Sequence, residues 1–275
     1  MKVLSLDNVY KIHPAFTQPQ PYEGVSNKYV HIPTSQIIED IMPYGWQPVN
    51  TLTKKSRIKD DRFNKHGLKF INPDIKLELD SKDISYAQIC LMNSHDASCS
   101  FRIYCGFFRL ICSNGLIIPI SDAVSGVPTR FVSIRHINYN LDHVKQVMNG
   151  LLSNFQEASK ISTNLLNTTL SKEQIEYFSK ISFLRRNQVS EDSFAKYLGT
   201  VPQLTVDILN NTKYEQDRGD NAWCVLNRVQ HNIINGFSAP NPLKDNKITA
   251  YKTIKNFERD INLNVNMVSD LMHLI

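Results

Sequence analysis

Long apolar runs are absent from this chain of 275 residues. None approaches the roughly 18 residues that a membrane-spanning helix needs, so we expect no membrane partner. The N-terminus also lacks a basic start followed by a continuous apolar core, the pattern of a secretory signal. We therefore expect the protein to stay in the compartment in which it is made, the cytoplasm.

Cysteine is scarce. The count is five, an odd number, and no two cysteines have the C-x-x-C spacing of redox or zinc sites. Four of the five lie in or beside apolar segments typical of strands, where a free cysteine behaves as a small hydrophobic residue. We therefore predict a reducing compartment, no disulfide framework, no structural metal and no cofactor.

Compact catalytic motifs are missing as well. The sequence has no P-loop, no dinucleotide-binding glycine fingerprint, no nucleophile elbow and no H-E-x-x-H zinc motif. Many metal-dependent nucleases have no compact signature, so this absence does not exclude an enzyme. It favours a binding protein over an enzyme and leaves the question open.

Positive charge is present in excess and is concentrated in one segment. The net charge is +5, and residues 54–69, the basic segment, contain seven basic residues and two acidic ones, which equals the whole excess. Concentrated positive charge attracts polyanions such as nucleic acid, although a solvated loop that aids solubility has the same composition. The predicted phosphate contacts in the segment are Lys54, Lys55, Arg57, Arg62 and Lys65.

The first half of the chain predicts an antiparallel sheet. Residues 1–27 contain three prolines and little periodicity, so we expect an extended arm, followed by a short helix that ends near Gly45. Alternating and β-branched runs predict about five strands between residues 66 and 137. Asn114-Gly115 is the strongest local signal, because both residues tolerate the positive φ of a type I′ hairpin turn. Short sequential links indicate a meander.

The second half predicts helices. From about residue 140, apolar residues recur at helical spacing, and Ser171-x-x-Gln174 has the pattern of a capping box. The fold class is therefore α+β, with a meander followed by a mainly helical C-terminal half. We expect a single domain over residues 28–240 and a helical appendage over 241–275. Further helices are predicted near 191–198, 202–211, 220–235 and 252–272.

Two histidines and an aspartate are candidates for chemistry. His95 and Asp96 lie in a predicted turn between two strands, where they would suit a metal site or a base and its orienting carboxylate. Adjacent side chains diverge, so such a site needs a further ligand, for which His66 is a candidate. If the set is catalytic, the protein is a metal-dependent nuclease with Mg²⁺ as its cofactor. The same residues also fit a plain turn held by side-chain to backbone hydrogen bonds.

Polar side chains interrupt two of the predicted apolar elements. Arg109 lies on a mostly apolar strand, where an arginine is costly unless it faces a phosphate or forms a salt bridge. We count it as the sixth predicted phosphate contact, with the salt bridge as the alternative. On the helix predicted over 220–235, Trp223, Asn227 and Gln230 share one face. Amides beside a tryptophan indicate either a buried polar network or a ligand contact, and we favour the network.

Four separated blocks of sequence carry a resemblance to a known family. They are Tyr29-Val30-His31-Ile32-Pro33-Thr34 with Gly45-Trp46, Lys65-His66-Gly67-Leu68, Asn93-Ser94-His95-Asp96 with Gly106 to Leu116, and Asn221-Ala222-Trp223 with Asn227 to Asn232. In order and spacing these blocks resemble the phage/plasmid-like proteins grouped as domain of unknown function 932, over roughly residues 28–240. The chain departs from the family at Ala97, where glycine is common, and at His231, where an acidic residue is common.

The resemblance implies a mobile-element origin and a DNA transaction in the bacterial cytoplasm. An antiparallel sheet with a helix across it is also similar to the core of phage single-strand annealing proteins, which bind the phosphate backbone in a basic groove, often as rings. We therefore expect a protein that binds or anneals single-stranded DNA in recombination, as a homo-oligomer. The alternatives are the metal-dependent nuclease and a protein-protein module that inhibits a host defence system.

Overall fold

The chain forms two compact units in the computed structural model. The first comprises residues 1–110 with 119–158, and the second comprises residues 111–118 with 159–275. Among the described residues, no helix is both long and apolar enough to cross a membrane. The residues that the structure describes are 3–53, 60–80, 83–109, 115–117, 120–121, 128–129, 132–134, 136 and 155–275.

An antiparallel sheet forms the centre of the first unit. Its strands are β1 (Gln47–Thr53), β2 (His66–Asp80), β3 (Asp83–Asn93) and β4 (Phe101–Arg109). Each of them pairs with the next one along the chain. The short strands that follow are β5 (Gly115–Ile117), β6 (Ile120–Ser121), β7 (Pro128–Thr129) and β8 (Val132–Ile134). Because β8 adds to the sheet beside β4 and a mainly helical half comes next, the predicted α+β class and meander are confirmed.

Strand β2 runs without a break for 15 residues. Its pairing with β3 shifts register between Asn72 and Lys76, on either side of Pro73. Proline has no N–H to donate to a neighbouring strand, and the irregularity lets β2 continue past it. The predicted hairpin turn is only partly described, because Asn114 lies outside the described residues and Gly115 begins β5.

The first 27 residues contain a helix where the sequence predicts an extended arm. Helix α1 (Leu6–Ile12) begins after Ser5, whose hydroxyl accepts a hydrogen bond from the Asn8 N–H at 3.3 Å. Phe16, just beyond α1, is fully buried. Seven residues make only two turns, too few for helical periodicity to stand out in a proline-rich stretch. Helix α2 (Thr34–Ile41) buries its three isoleucines, as its apolar stripe predicts.

Helices and one hairpin make up the C-terminal half. They are α3, described over 155–167, α4 (Lys172–Arg186), α5 (Phe194–Leu198), α6 (Gln203–Asn210), α7 (Ala222–Asn235), β9 (Gly236–Asn241), β10 (Lys247–Lys252) and α8 (Phe257–Met272). The predicted capping box is confirmed, with reciprocal hydrogen bonds of 2.9 and 3.2 Å between Ser171 and Gln174. The hairpin of β9 and β10 was not predicted, and β10 lies within the stretch 241–275 that we expected to be helical. The predicted domain boundaries stay a prediction.

The polar face of α7 takes part in hydrogen bonds inside the second unit. Trp223 is buried, and its carbonyl oxygen accepts a hydrogen bond from the Asn227 amide at 2.8 Å. The Gln230 amide donates to Asn264 of α8. These bonds join successive turns of α7 and link α7 to α8.

Arg109 is buried at the end of β4 and forms a salt bridge. Its side chain is 2% exposed, and Nε and Nη2 donate to the two Asp83 carboxylate oxygens at 2.6 and 2.5 Å. Of the two placements that the sequence left open for Arg109, the structure has the salt bridge. The guanidinium is therefore directed at a buried carboxylate and is not presented to a phosphate in solution.

Removing one partner of this buried pair should destabilise the first unit strongly. Asp83→Asn removes the buried carboxylate to which Arg109 donates, and we expect the free energy of unfolding to fall by about 3–5 kcal/mol. Urea unfolding measures the change. Asp60→Asn, which breaks the exposed pair with Arg62, is the control and should cost much less. Equal effects of the two substitutions would contradict the structural role of the Asp83–Arg109 pair.

Candidate nucleic-acid interface at the sheet end

The ends of four strands lie at the same end of the sheet. Thr53 at the end of β1 pairs with His66 at the start of β2, and His66 pairs with Asn93 at the end of β3. Strand β4 begins at the same end of the sheet. The β1–β2 connection, which carries most of the basic segment, and the β3–β4 connection, which carries His95, therefore leave the sheet together.

Two aromatic rings and a cation are accessible to solvent at this end of the sheet. Tyr22 is 49% exposed and packs edge-on against Phe63, with the ring centres 5.5 Å apart. The Arg62 guanidinium lies 5.3 Å from the centre of the Phe63 ring and 2.6 Å from the Asp60 carboxylate. We call Tyr22, Arg62, Phe63 and Lys65 the sheet-end surface.

The predicted phosphate contacts fall into three groups. Arg62 is exposed and Lys65 is half-buried, and both lie in the β1–β2 connection. Arg109 is held in its salt bridge with Asp83 and does not belong to the sheet-end surface. The remaining three lie outside the described residues: Lys54, Lys55 and Arg57.

His95 holds the two aromatic residues in place. Its backbone N–H donates to the Phe63 carbonyl at 3.0 Å, and its backbone carbonyl accepts from the Tyr22 N–H at 2.8 Å. Its ring is fully buried, and Nε2 donates to the Ala15 carbonyl at 2.8 Å. His95 therefore positions other groups, and its ring is not offered to solvent.

His66 is fixed through both of its ring nitrogens. Nδ1 donates to the Asn64 carbonyl oxygen at 2.8 Å, and Nε2 accepts from the Thr34 hydroxyl at 2.7 Å. The Thr34 oxygen accepts in turn from the Asn93 amide at 2.9 Å. The Asn64 carbonyl can only accept, so the neutral His66 ring carries its proton on Nδ1.

Neighbouring imidazole rings form a buried cluster beneath this end of the sheet. The ring centre of His95 lies 4.7 Å from that of His31 and 4.8 Å from that of His66. Burial lowers the pKa of His66 to about 3 and that of His95 to about 4, and neighbouring imidazoles add to the shift. Both rings are therefore neutral at pH 7.

The residues predicted for a metal site serve other contacts. Asp96 is half-exposed, and its carboxylate accepts the Ser98 N–H at 3.0 Å, as expected of a turn. Within the described ranges, no group of three or more His, Cys, Asp or Glu side chains is placed to hold a metal ion. His66, with both nitrogens hydrogen-bonded, would have to give up one partner to become a ligand.

Sequence reasoning missed Tyr22 and Phe63. Phe63 follows Arg62 inside the basic segment, and an aromatic residue among cations is a recognised pattern of single-strand binding, so a signal existed. Tyr22 lies in the stretch predicted to be an extended arm, and nothing in the sequence indicates that it meets Phe63.

Comparison with known proteins identifies the family. The family model described as domain of unknown function 932 matches residues 21–266, most of the chain. The chain belongs to this family. It is similar to two UPF0380 proteins of Escherichia coli strain K12, YfjQ and YafZ, with 23% and 22% identity over 264 residues, 95% of this chain and 88% of each relative. No solved structure matches the chain.

Acid should destabilise the sheet end. Unfolded histidines protonate near pH 6.5, whereas folded His66 and His95 protonate near pH 3 and 4, so the unfolded state takes up protons first as the pH falls. We expect each of the two to lower the free energy of unfolding by about 2 kcal/mol between pH 7 and pH 5. Urea unfolding across this range measures the slope.

Two substitutions test whether the buried rings of His66 and His95 cause the dependence of stability on pH. His66→Asn should flatten the dependence of stability on pH by about one proton, whatever it does to stability at pH 7. His273→Gln changes an exposed histidine at the end of α8 and should keep the full slope. A stability that stays constant from pH 7 to pH 5 in the unmodified protein would contradict the neutral buried cluster.

Proposed function

We propose that this protein binds single-stranded nucleic acid, with DNA preferred, through the sheet-end surface. The observation that carries the proposal is that Arg62 and Lys65, in the connection between β1 and β2, lie at the same end of the sheet as the accessible Tyr22 and Phe63. Both cations belong to the basic segment. Its charge excess equals the net charge of the whole chain, +5. A polyanion that approaches this surface meets cations and aromatic rings together.

The chemistry of these side chains matches the two parts of a nucleic-acid strand. Lysine and arginine bind phosphates and release counterions, which makes binding independent of sequence and sensitive to salt. Aromatic rings stack on bases, at about 1–3 kcal/mol per base, and only unpaired bases offer their faces freely. The combination supports a preference for single strands over duplex.

Annealing of complementary strands in recombination, by a homo-oligomer in the bacterial cytoplasm, is the finer part of the proposal. It is supported by the mobile-element origin that the four blocks of sequence imply. Contacts with phosphates and base faces also leave the hydrogen-bonding edges of the bases free to pair. We expect light scattering to detect a larger assembly when single-stranded DNA is added. A protein that binds DNA without any change in its own assembly would limit the proposal to binding.

Removing charge from the basic segment should weaken DNA binding and its dependence on salt. For the triple variant Lys54→Gln, Lys55→Gln, Arg57→Gln, we expect the slope of log K against log salt to become shallower by about 2, because three phosphate contacts are lost. Fluorescence anisotropy with a labelled oligonucleotide at several salt concentrations measures it. The control removes three exposed lysines of the second unit and should change the slope little: Lys172→Gln, Lys196→Gln and Lys213→Gln.

The same titration separates stacking from charge. Phe63→Ala should weaken binding to single strands by about tenfold and leave the salt slope unchanged, because a base loses its stacking partner. Tyr44→Ala removes another exposed aromatic side chain of the first unit and should have no effect. Absence of binding by the unmodified protein at low salt would end the proposal.

A further inference from the structure

Two adjacent arginines at the end of α4 have opposite surroundings. Arg185 donates to both carboxylate oxygens of Asp270 and lies 2.8 Å from the Glu191 carboxylate. Arg186 forms no salt bridge with any residue in the described part of the chain. One cation is fully compensated by the protein, and its neighbour is not.

Arg186 is nevertheless buried. Its residue is only 6% exposed, and Nη2 donates to the Lys252 backbone carbonyl. Nε and Nη1 are buried and have no hydrogen-bond partner among the described residues. A buried donor without an acceptor costs free energy, and a guanidinium has no protonation state in which it can avoid donating. The described part of the protein therefore leaves these donors unsatisfied.

Arg186 is among the residues that line a cleft of about 500 Å³. Within the described part of the chain, none of the lining residues is an aspartate or glutamate. The Arg259 guanidinium donates to the Arg186 carbonyl at 2.7 Å, which fixes a second arginine beside the first. Burial, with the nearby charge of Arg259, lowers the pKa of Arg186. The other cations of the lining are Lys244, Lys252 and Lys255.

The start of α8 adds to the attraction for an anion. Asn256, the N-cap of this 16-residue helix, lines the same cleft, and its side chain accepts the Arg259 N–H at 2.9 Å. Unpaired N–H groups at a helix N-terminus carry a partial positive charge. Five cations and a helix terminus thus border one space.

We propose that this cleft binds a phosphoryl group, with the unsatisfied N–H groups of Arg186 as its anchoring donors. Phosphoryl oxygens suit the site because they supply several acceptors and up to two negative charges, and arginine is the side chain best matched to them. The cleft is larger than one phosphoryl group, so it has room for the rest of a nucleotide. The ligand is either free phosphate or the terminal phosphate of a nucleotide chain.

Binding of inorganic phosphate to the full chain tests the proposal without recourse to DNA. We expect phosphate to raise the thermal midpoint of the protein at constant ionic strength, since a ligand that binds only the folded state stabilises it. Arg186→Met should weaken phosphate binding at least about tenfold in calorimetric titration, because charged hydrogen bonds are lost. Lys172→Gln, which removes an exposed charge at the other end of α4, should bind phosphate as the unmodified protein does.

Two further measurements keep the test decisive. If Arg186→Met does not fold, Arg259→Gln changes an exposed residue of the same cleft and should weaken phosphate binding severalfold. Competition between phosphate and a 5′-phosphorylated oligonucleotide, but not its 5′-hydroxyl form, would assign the site to a chain end. Competition by neither would assign it to free phosphate. The proposal is overturned if phosphate does not bind, or if the Arg186 and Arg259 variants both bind it as tightly as the unmodified protein.

Discussion

His95 is fixed by three hydrogen bonds, and the sheet-end surface takes its shape from them. The backbone of His95 joins Phe63 and Tyr22, and its ring joins Ala15. These partners come from the N-terminal stretch and from the β1–β2 connection, which are far apart in sequence. Because His95 is buried, water does not compete for its hydrogen bonds. A single residue therefore sets where the two accessible rings lie relative to the end of the sheet.

This arrangement requires that the histidine rings beneath the sheet-end surface carry no charge. His31, His66 and His95 lie with ring centres within 5 Å of their neighbours, so a proton on any one of them would place a cation among buried groups. Burial opposes that proton and lowers the pKa of each of the three. At neutral pH the positive charge that the described residues place at the sheet end then comes from lysine and arginine side chains. Two of those that the structure describes, Arg62 and Lys65, reach solvent.

Local patterns in the sequence predict local structure, and partners distant in sequence escape them. The capping box of α4 depends on residues three apart, so Ser171 and Gln174 are enough to predict it. The carboxylate that neutralises Arg109 is 26 residues away in the chain, and no pattern in the sequence identifies it. The contact between Tyr22 and Phe63 escapes prediction for the same reason.

Ala97 shows that resemblance to a family can indicate a local backbone conformation that the propensities of the residues do not predict. Glycine is common at this position in the family, and the structure gives Ala97 a φ of 60°. This left-handed conformation is free of strain for glycine and costs an alanine about 1–2 kcal/mol. The departure from the family pattern thus marks a backbone conformation that neither hydrophobic periodicity nor turn composition predicts.

Arg109 and Arg186, two of the buried arginines, show how the partners of a buried cation distinguish a structural charge from one that is available to a ligand. They are 2% and 6% exposed, so both have lost most of their water. Arg109 recovers that loss from a carboxylate that is itself buried, and its charge is complete within the fold. Arg186 recovers part of it from one carbonyl and lines a cleft whose described residues include further cations and no carboxylate. A buried charge needs a partner. The same rule therefore assigns Arg109 to the stability of the sheet and Arg186 to an anion that the described part of the chain does not supply.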